Sequence, residues 1–192
     1  MIRTDDFEKI EITSSAALHS WLLQHHLQKE SVWLVTYKKE NPEKYVSRWE
    51  VLDELLCFGW IDGVRRKLDA QRTMQLISPR KTQHWAKSYK DRVAVLMEQN
   101  RMHPAGLKSI EVAKTSGLWN FMDDVDALIV PEDLKEALQT ENDAASFFNG
   151  INDSSKRFVL RWLKLAKTEK TRQSRIEKIV RLSKNGEKLP GS

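Results

Sequence analysis

Residues 57–88 read CFGWIDGVRRKLDAQRTMQLISPRKTQHWAKS. In this stretch a helix ends, the backbone turns at Gly59, and two strand-like runs follow. From Trp60 the apolar period is two: Val64, Arg66 and Leu68 alternate with Arg65, Lys67 and Asp69. After a turn near 69–71, Met74 and Leu76 alternate with Thr73, Gln75 and Ile77. Two such runs joined by a short polar turn predict a β-hairpin. Pro79 ends it, and the Ser78-Pro79-Arg80 corner launches the next helix.

Upstream, Ser47 and Glu50 have the spacing of a capping box, with Val46 and Val51 at the positions of a hydrophobic staple. Val51, Leu52, Leu55 and Leu56 form a buried stripe, and Gly59 suits the residue after a helix end. A helix over 48–58 is predicted. Residues 31–38, SVWLVTYK, are β-branched and aromatic, with apolar residues on both alternating faces, which predicts a central strand covered on both sides. Ala17, Leu18, Trp21, Leu22 and His25 predict a helix over 14–27, capped by Thr13 or Ser14. The hairpin and the strand together make a three-stranded sheet.

Downstream, Trp85, Tyr89, Val93 and Leu96 fall at helical spacing. Pro104 opens a helix that closes near Gly117. Residues 118–130 read as a loop or short turn. Helices follow from Pro131-Glu132-Asp133, from Asn142 or Asp143 to Gly150, from Asp153 or Ser154 with Phe158, Val159, Trp162, Leu163 and Ala166 inward, and over 169–184. Residues 187–192 read as a frayed end. The architecture is α+β: a sheet domain over 1–117 and a helical C-terminal part over 131–186, with a soft boundary that allows one continuous core.

Composition sets outer limits. Hydrophobic content of 40% and charged content of 31% are ordinary for a globular chain. No run of about 18 apolar residues exists to span a membrane. The N-terminal MIRTDDFEKIEI lacks the apolar core of a secretory signal. A single cysteine, Cys57, forms no internal disulfide and fits a reducing compartment, so a cytoplasmic location is expected. The net charge of +5 is uneven. From Ile151 onward there are 12 Lys and Arg against 4 Asp and Glu. That asymmetry suits an anionic partner or a solvated helical surface.

Several chemistries find no support. There is no phosphate-cradling glycine loop, no GxSxG and no HExxH. His19, His25, His26, His84 and His103 show no metal-ligand spacing with one another or with Cys57, and no cofactor is implied. No catalytic residue is assignable. The positive candidate is an anion-binding concavity of Trp60, Asp62, Arg65, Arg80, Trp85 and Lys87, with Gly63, Arg66 and Arg72 close by. Guanidinium forks grip planar anions, tryptophan supplies a flat wall, and the helix start near Thr82 offers free N–H groups. Asp62 could orient an arginine, take a proton or cap the turn. The competing reading makes Asp62 with Arg80 or Arg65 a structural ion pair and places Trp60 and Trp85 in the core. A second candidate is a basic surface of Arg157, Arg161, Lys164, Arg172 and Arg175, able to track the phosphates of RNA or DNA. A third is the acidic patch Asp123-Asp124-Asp126, which could meet a cationic peptide.

Two segments carry a resemblance. One is LCFGWIDG at 56–63, followed by Ser78-Pro79-Arg80 and by RMHPAGLKSIEVAKTSGLW at 101–119. The other begins at Pro131-Glu132-Asp133-Leu134 with Ala137-Leu138 and continues as SSKRFVLRWLKLAKTEKTRQSRIEKIVRL from Ser154. Together they resemble the bacteriocin-protection proteins of the YdeI/OmpD-associated family, over most of the chain and in the same order. The resemblance implies a bacterial protein linked by name to tolerance of bacteriocins or antimicrobial peptides and to an outer-membrane porin, without a reaction or a cofactor. It points to Trp60, Asp62, Gly63, Pro79 and Arg80 as the site. Where many relatives have a serine-rich SxWS element, this chain has Thr82-Gln83-His84-Trp85-Ala86-Lys87, so a role for those hydroxyls does not carry over. The expectation is a protein of stress or peptide tolerance that binds a small anion or a protein partner at 60–87. The alternatives are a nucleic-acid accessory protein using residues 156–181 and a small-molecule enzyme built on Asp62 and Arg80.

Overall fold

The computed structural model describes residues 6–81 and 83–190. The chain divides between Asn120 and Phe121 into two compact units. The first is α+β and the second helical, as the sequence predicts.

The first unit runs β1 (Lys9–Glu11), α1 (Ser15–His25), β2 (Val32–Tyr37), α2 (Arg48–Cys57), β3 (Trp60–Lys67), β4 (Arg72–Pro79), α3 (Lys87–Glu98) and α4 (Pro104–Thr115). The sheet has four strands, not three, in the order β1-β2-β4-β3. The added strand, β1, pairs parallel to β2 through Lys9, Ile10 and Glu11. It is three residues long, and only Ile10 is buried, so it offers no alternation to read. The hairpin forms as predicted, and β4 pairs with β2 as Val32↔Ile77, Leu34↔Gln75 and Thr36↔Thr73.

That register puts Ile10, Val32, Leu34 and Ile77 on one face. They share a core with Leu18 and Leu22 of α1, the Val51–Leu56 stripe of α2, and Val93, Leu96, Ile110 and Ala113. Ser47 and Glu50 form both bonds of the capping box. Gly59 leaves α2 at φ +72, a conformation side chains disfavour. Gly106 lets α4 close on the end of α2: a Cβ there would lie 2.2 Å from the Cys57 carbonyl oxygen. Trp85 precedes α3 rather than lying on it, and its backbone N–H donates to the Leu118 carbonyl at 3.2 Å.

The second unit comprises a single helical turn, α5 (Asp123–Asp126), and then α6 (Glu132–Gln139), α7 (Asn142–Gly150), α8 (Asp153–Lys164) and α9 (Glu169–Lys184). Its core gathers Leu134, Leu138, Phe148, Val159, Leu160, Leu163, Ile176 and Ile179. Two expectations fail here. Phe158 is 50% exposed, and Leu160 is the inward residue instead. Val159, Leu160 and Leu163 centre the buried stripe, and Phe158, about 200° round the helix from Leu160, is turned toward solvent. The tail is also not wholly frayed, because Leu189 is buried in this core at 4% exposure.

Candidate functional site

The first unit holds a cleft of about 260 Å³ between the sheet and the starts of α2 and α3. Its lining includes Arg48 and Trp49 from α2, Asp62 and Arg65 from β3, Gln75 from β4 and Tyr89 from α3. A larger cleft of about 660 Å³ adjoins it and shares Arg48, Trp49 and Arg65.

A β-bulge builds this floor. Asp62 faces Ile77 and Arg65 faces Gln75, so two residues of β3, Gly63 and Val64, stand against Leu76 alone. Strict alternation sends Asp62 and Arg65 to opposite faces. The extra residue restores Arg65 to the face of Asp62 and Gln75. Glycine suits this position, because a Cβ on Gly63 would lie 3.1 Å from the Leu76 carbonyl oxygen.

Asp62 is held by neutral donors. The Tyr89 hydroxyl donates to Oδ1 at 2.5 Å and the Gln75 amide to Oδ2 at 3.2 Å. Burial pushes the Tyr89 phenol far above its ordinary value, and the bond to Asp62 pushes it further, so it stays a donor. Asp62 makes no ion pair with Arg65 or Arg80 among the described residues, and it ties the hairpin to α3 through Tyr89 instead. Arg65 and Arg48 have no hydrogen-bond or ion-pair partner among the described residues. The Arg48 guanidinium lies 4.6 Å from the Trp49 ring.

Arg80 lies behind the cleft. Its guanidinium is 3.8 Å from the Trp85 ring centre and 5.7 Å from that of Tyr89. Its three side-chain nitrogens are closed off from solvent and have no hydrogen-bond partner among the described residues. Burial pushes its pKa down to about 10, against the pull of Tyr89 and Asp62, so it is charged at neutral pH.

The other foreseen residues lie elsewhere. Trp60 and Trp85 are core residues, each 1% exposed, and Trp60 donates to the His26 carbonyl at 3.3 Å. Lys87 pairs with Asp91 along α3 at 2.7 Å. Arg72 joins Asp69 and Glu11, and Arg66 lies over Trp33. Thr82 itself lies outside the described residues, but the helix starts at Lys87 after Ala86 and not near Thr82, so the free N–H groups expected at that corner are displaced along the chain. Burial pushes the Cys57 thiol up to about 12, so it is no nucleophile at neutral pH. Three histidines distant in sequence, His19, His26 and His103, gather around Phe58.

In the second unit, Lys164, Arg172 and Arg175 meet partners within the unit. Lys164 donates to Asp124 at 2.5 Å, which also occupies part of the acidic patch. Arg172 forks onto both oxygens of Asp133. Arg175 donates to the Trp162 carbonyl and stacks on its ring. Arg157 approaches Asp153 at 3.9 Å, and Arg161 is exposed on the last turn of α8.

Arg48 was missed by sequence reading. It opens a capped helix, a place where an arginine is ordinarily a solvated charge. Its position beside Trp49, at the mouth of a helix packed on a sheet, was the available signal.

Comparison with known families divides the chain. The model of the family described as Domain of unknown function (DUF8412) matches residues 10–109. The model described as Bacteriocin-protection, YdeI or OmpD-Associated matches residues 127–186. The resemblance to the latter is therefore shown on the C-terminal segment, while the GWIDG and Ser-Pro-Arg elements fall inside the former match. No curated protein and no solved structure matches the chain.

Proposed function

We propose that this chain, which belongs to the family of that domain of unknown function, binds a small organic anion in the cleft of its first unit. The bacteriocin-protection description of the family matched by its C-terminal segment is what favours a role for that binding in antimicrobial-peptide or stress tolerance; a cytoplasmic setting is part of the proposal. The carrying observation is that Arg48 and Arg65 border one cleft with no partner among the described residues. Two unpaired guanidiniums offer rigid forks of donors to an anion. Arg80 adds a third positive charge closed off from solvent, where salt screens it little. The cost of burying that charge is accepted beside this cleft, as polar features that lower stability often are near functional sites.

The test is calorimetric titration of the intact protein with phosphate, sulfate and small carboxylates. At least one should bind saturably, and Arg48→Ala and Arg65→Ala should each weaken it about tenfold or more, as expected for a charge-assisted hydrogen bond. Binding untouched by either substitution contradicts the assignment.

A further inference from the structure

An anion site has no evident use for a carboxylate, yet Asp62 sits on the floor of this one. We propose that the bound anion is a phosphorylated sugar, held by its phosphate at Arg48 and Arg65 and by its hydroxyls at Asp62 and Gln75. This rests on the anion-binding reading of the same cleft.

The cleft carries unmet hydrogen-bonding capacity. A carboxylate has about four acceptor sites. Tyr89 fills one on Oδ1 and Gln75 one on Oδ2, so each oxygen of Asp62 retains one. The Gln75 amide nitrogen is bonded to Asp62 and, at 3.5 Å, to the Gly63 carbonyl. Its carbonyl oxygen has no donor among the described residues. The floor is thus rich in acceptors and asks for O–H or N–H donors. The mouth, at Arg48 and Arg65, is rich in donors and asks for an anion. A bare anion satisfies only the mouth and is repelled by Asp62. A molecule with hydroxyl groups at one end and a phosphate at the other satisfies both.

Shape agrees. Trp49 is 46% exposed and, with Val51 and Leu52, gives the cleft an apolar wall for the C–H face of a sugar ring. The volume of about 260 Å³ lies just below the range of drug-sized sites, about 300–1,000 Å³, and suits one ring with one phosphate. Phosphate is favoured over carboxylate because two guanidiniums present more N–H donors than two carboxylate oxygens readily use.

The experiment titrates the intact protein calorimetrically with inorganic phosphate, ribose, ribose 5-phosphate and adenosine monophosphate. Ribose 5-phosphate should bind at least about tenfold more tightly than inorganic phosphate, and ribose alone should bind more weakly than either. In Asp62→Asn that advantage should shrink to less than about threefold. If Asp62→Asn does not fold, Gln75→Leu serves the same purpose. Equal binding of phosphate and ribose 5-phosphate overturns the sugar inference and leaves the anion site standing. Adenosine monophosphate binding without ribose 5-phosphate binding also overturns it, since the base is then what is recognised. If no anion binds, both readings fall.

Discussion

Arg80→Met should make the protein more stable. In the wild type the guanidinium is closed off from solvent without a hydrogen-bond partner among the described residues, and its pKa falls from 12.5 to about 10. At about 1.4 kcal/mol per unit, the charge costs the folded state about 3 kcal/mol. Its approach to the Trp85 ring at 3.8 Å returns about 2 kcal/mol, the value for a desolvated cation–π contact. Methionine fills similar space, carries no charge and packs well on aromatic rings. The net expectation is a gain of about 1 kcal/mol, or about 3 °C in melting temperature. The sign has a pH signature. A base whose folded pKa is depressed destabilises fully below that value, and the penalty fades as the pH rises through it. The advantage of the variant should therefore shrink above pH 10. Urea denaturation followed by circular dichroism, at neutral pH and near pH 11, reads both effects. A loss of more than about 1 kcal/mol at neutral pH would refute the reasoning, because it would mean that the guanidinium is well paired. The same variant should bind anions less tightly, since it removes a positive charge behind the cleft.

Other outcomes follow from the packing. Ser47→Ala should lower stability by about 1 kcal/mol. The bonds from the Ser47 hydroxyl and N–H hold Glu50 below 4.5, so the capping contribution is present above that pH and the deficit should narrow below it, as acid denaturation would show. Gly106→Ala should cost about 3 kcal/mol or more, because its Cβ would meet the Cys57 carbonyl at 2.2 Å. Gly117→Ala, with nothing within 4 Å but a φ of +76, should cost only about 1 kcal/mol, and thermal unfolding of the pair separates clash from backbone strain. Arg172→Ala should lower stability by about 0.5–1 kcal/mol through its lost fork on Asp133, and filter binding should find affinity for short RNA unchanged. A clear fall in RNA affinity would instead revive a nucleic-acid role for the second unit.

Much of the fold was written in local chemistry. Ser47, Glu50, Val46 and Val51 specify the start of α2 without reference to the rest of the chain. Strand β2 declares itself because it is apolar on both faces. What escaped reading depends on tertiary context. Strand β1 is too short to show a period, and it exists because β2 offers an edge. Phe158 and Val159 are both apolar neighbours, and only the packed bundle selects between them. The bulge at Gly63-Val64 is one residue of slippage, yet it decides which face carries Arg65. Asp62, Arg65 and Arg80 could be singled out because charged residues crowd the hairpin. Arg48 could not, because its partner residues in the cleft come from β3, β4 and α3.

The most direct measurement is a phosphate titration of the intact protein monitored through the arginine Nε–H resonances. Arg48 and Arg65 should shift together and saturate, while Arg172 of the second unit, bonded to Asp133, stays in place. If Arg48 and Arg65 do not move, or move no more than Arg172, the cleft is not an anion site.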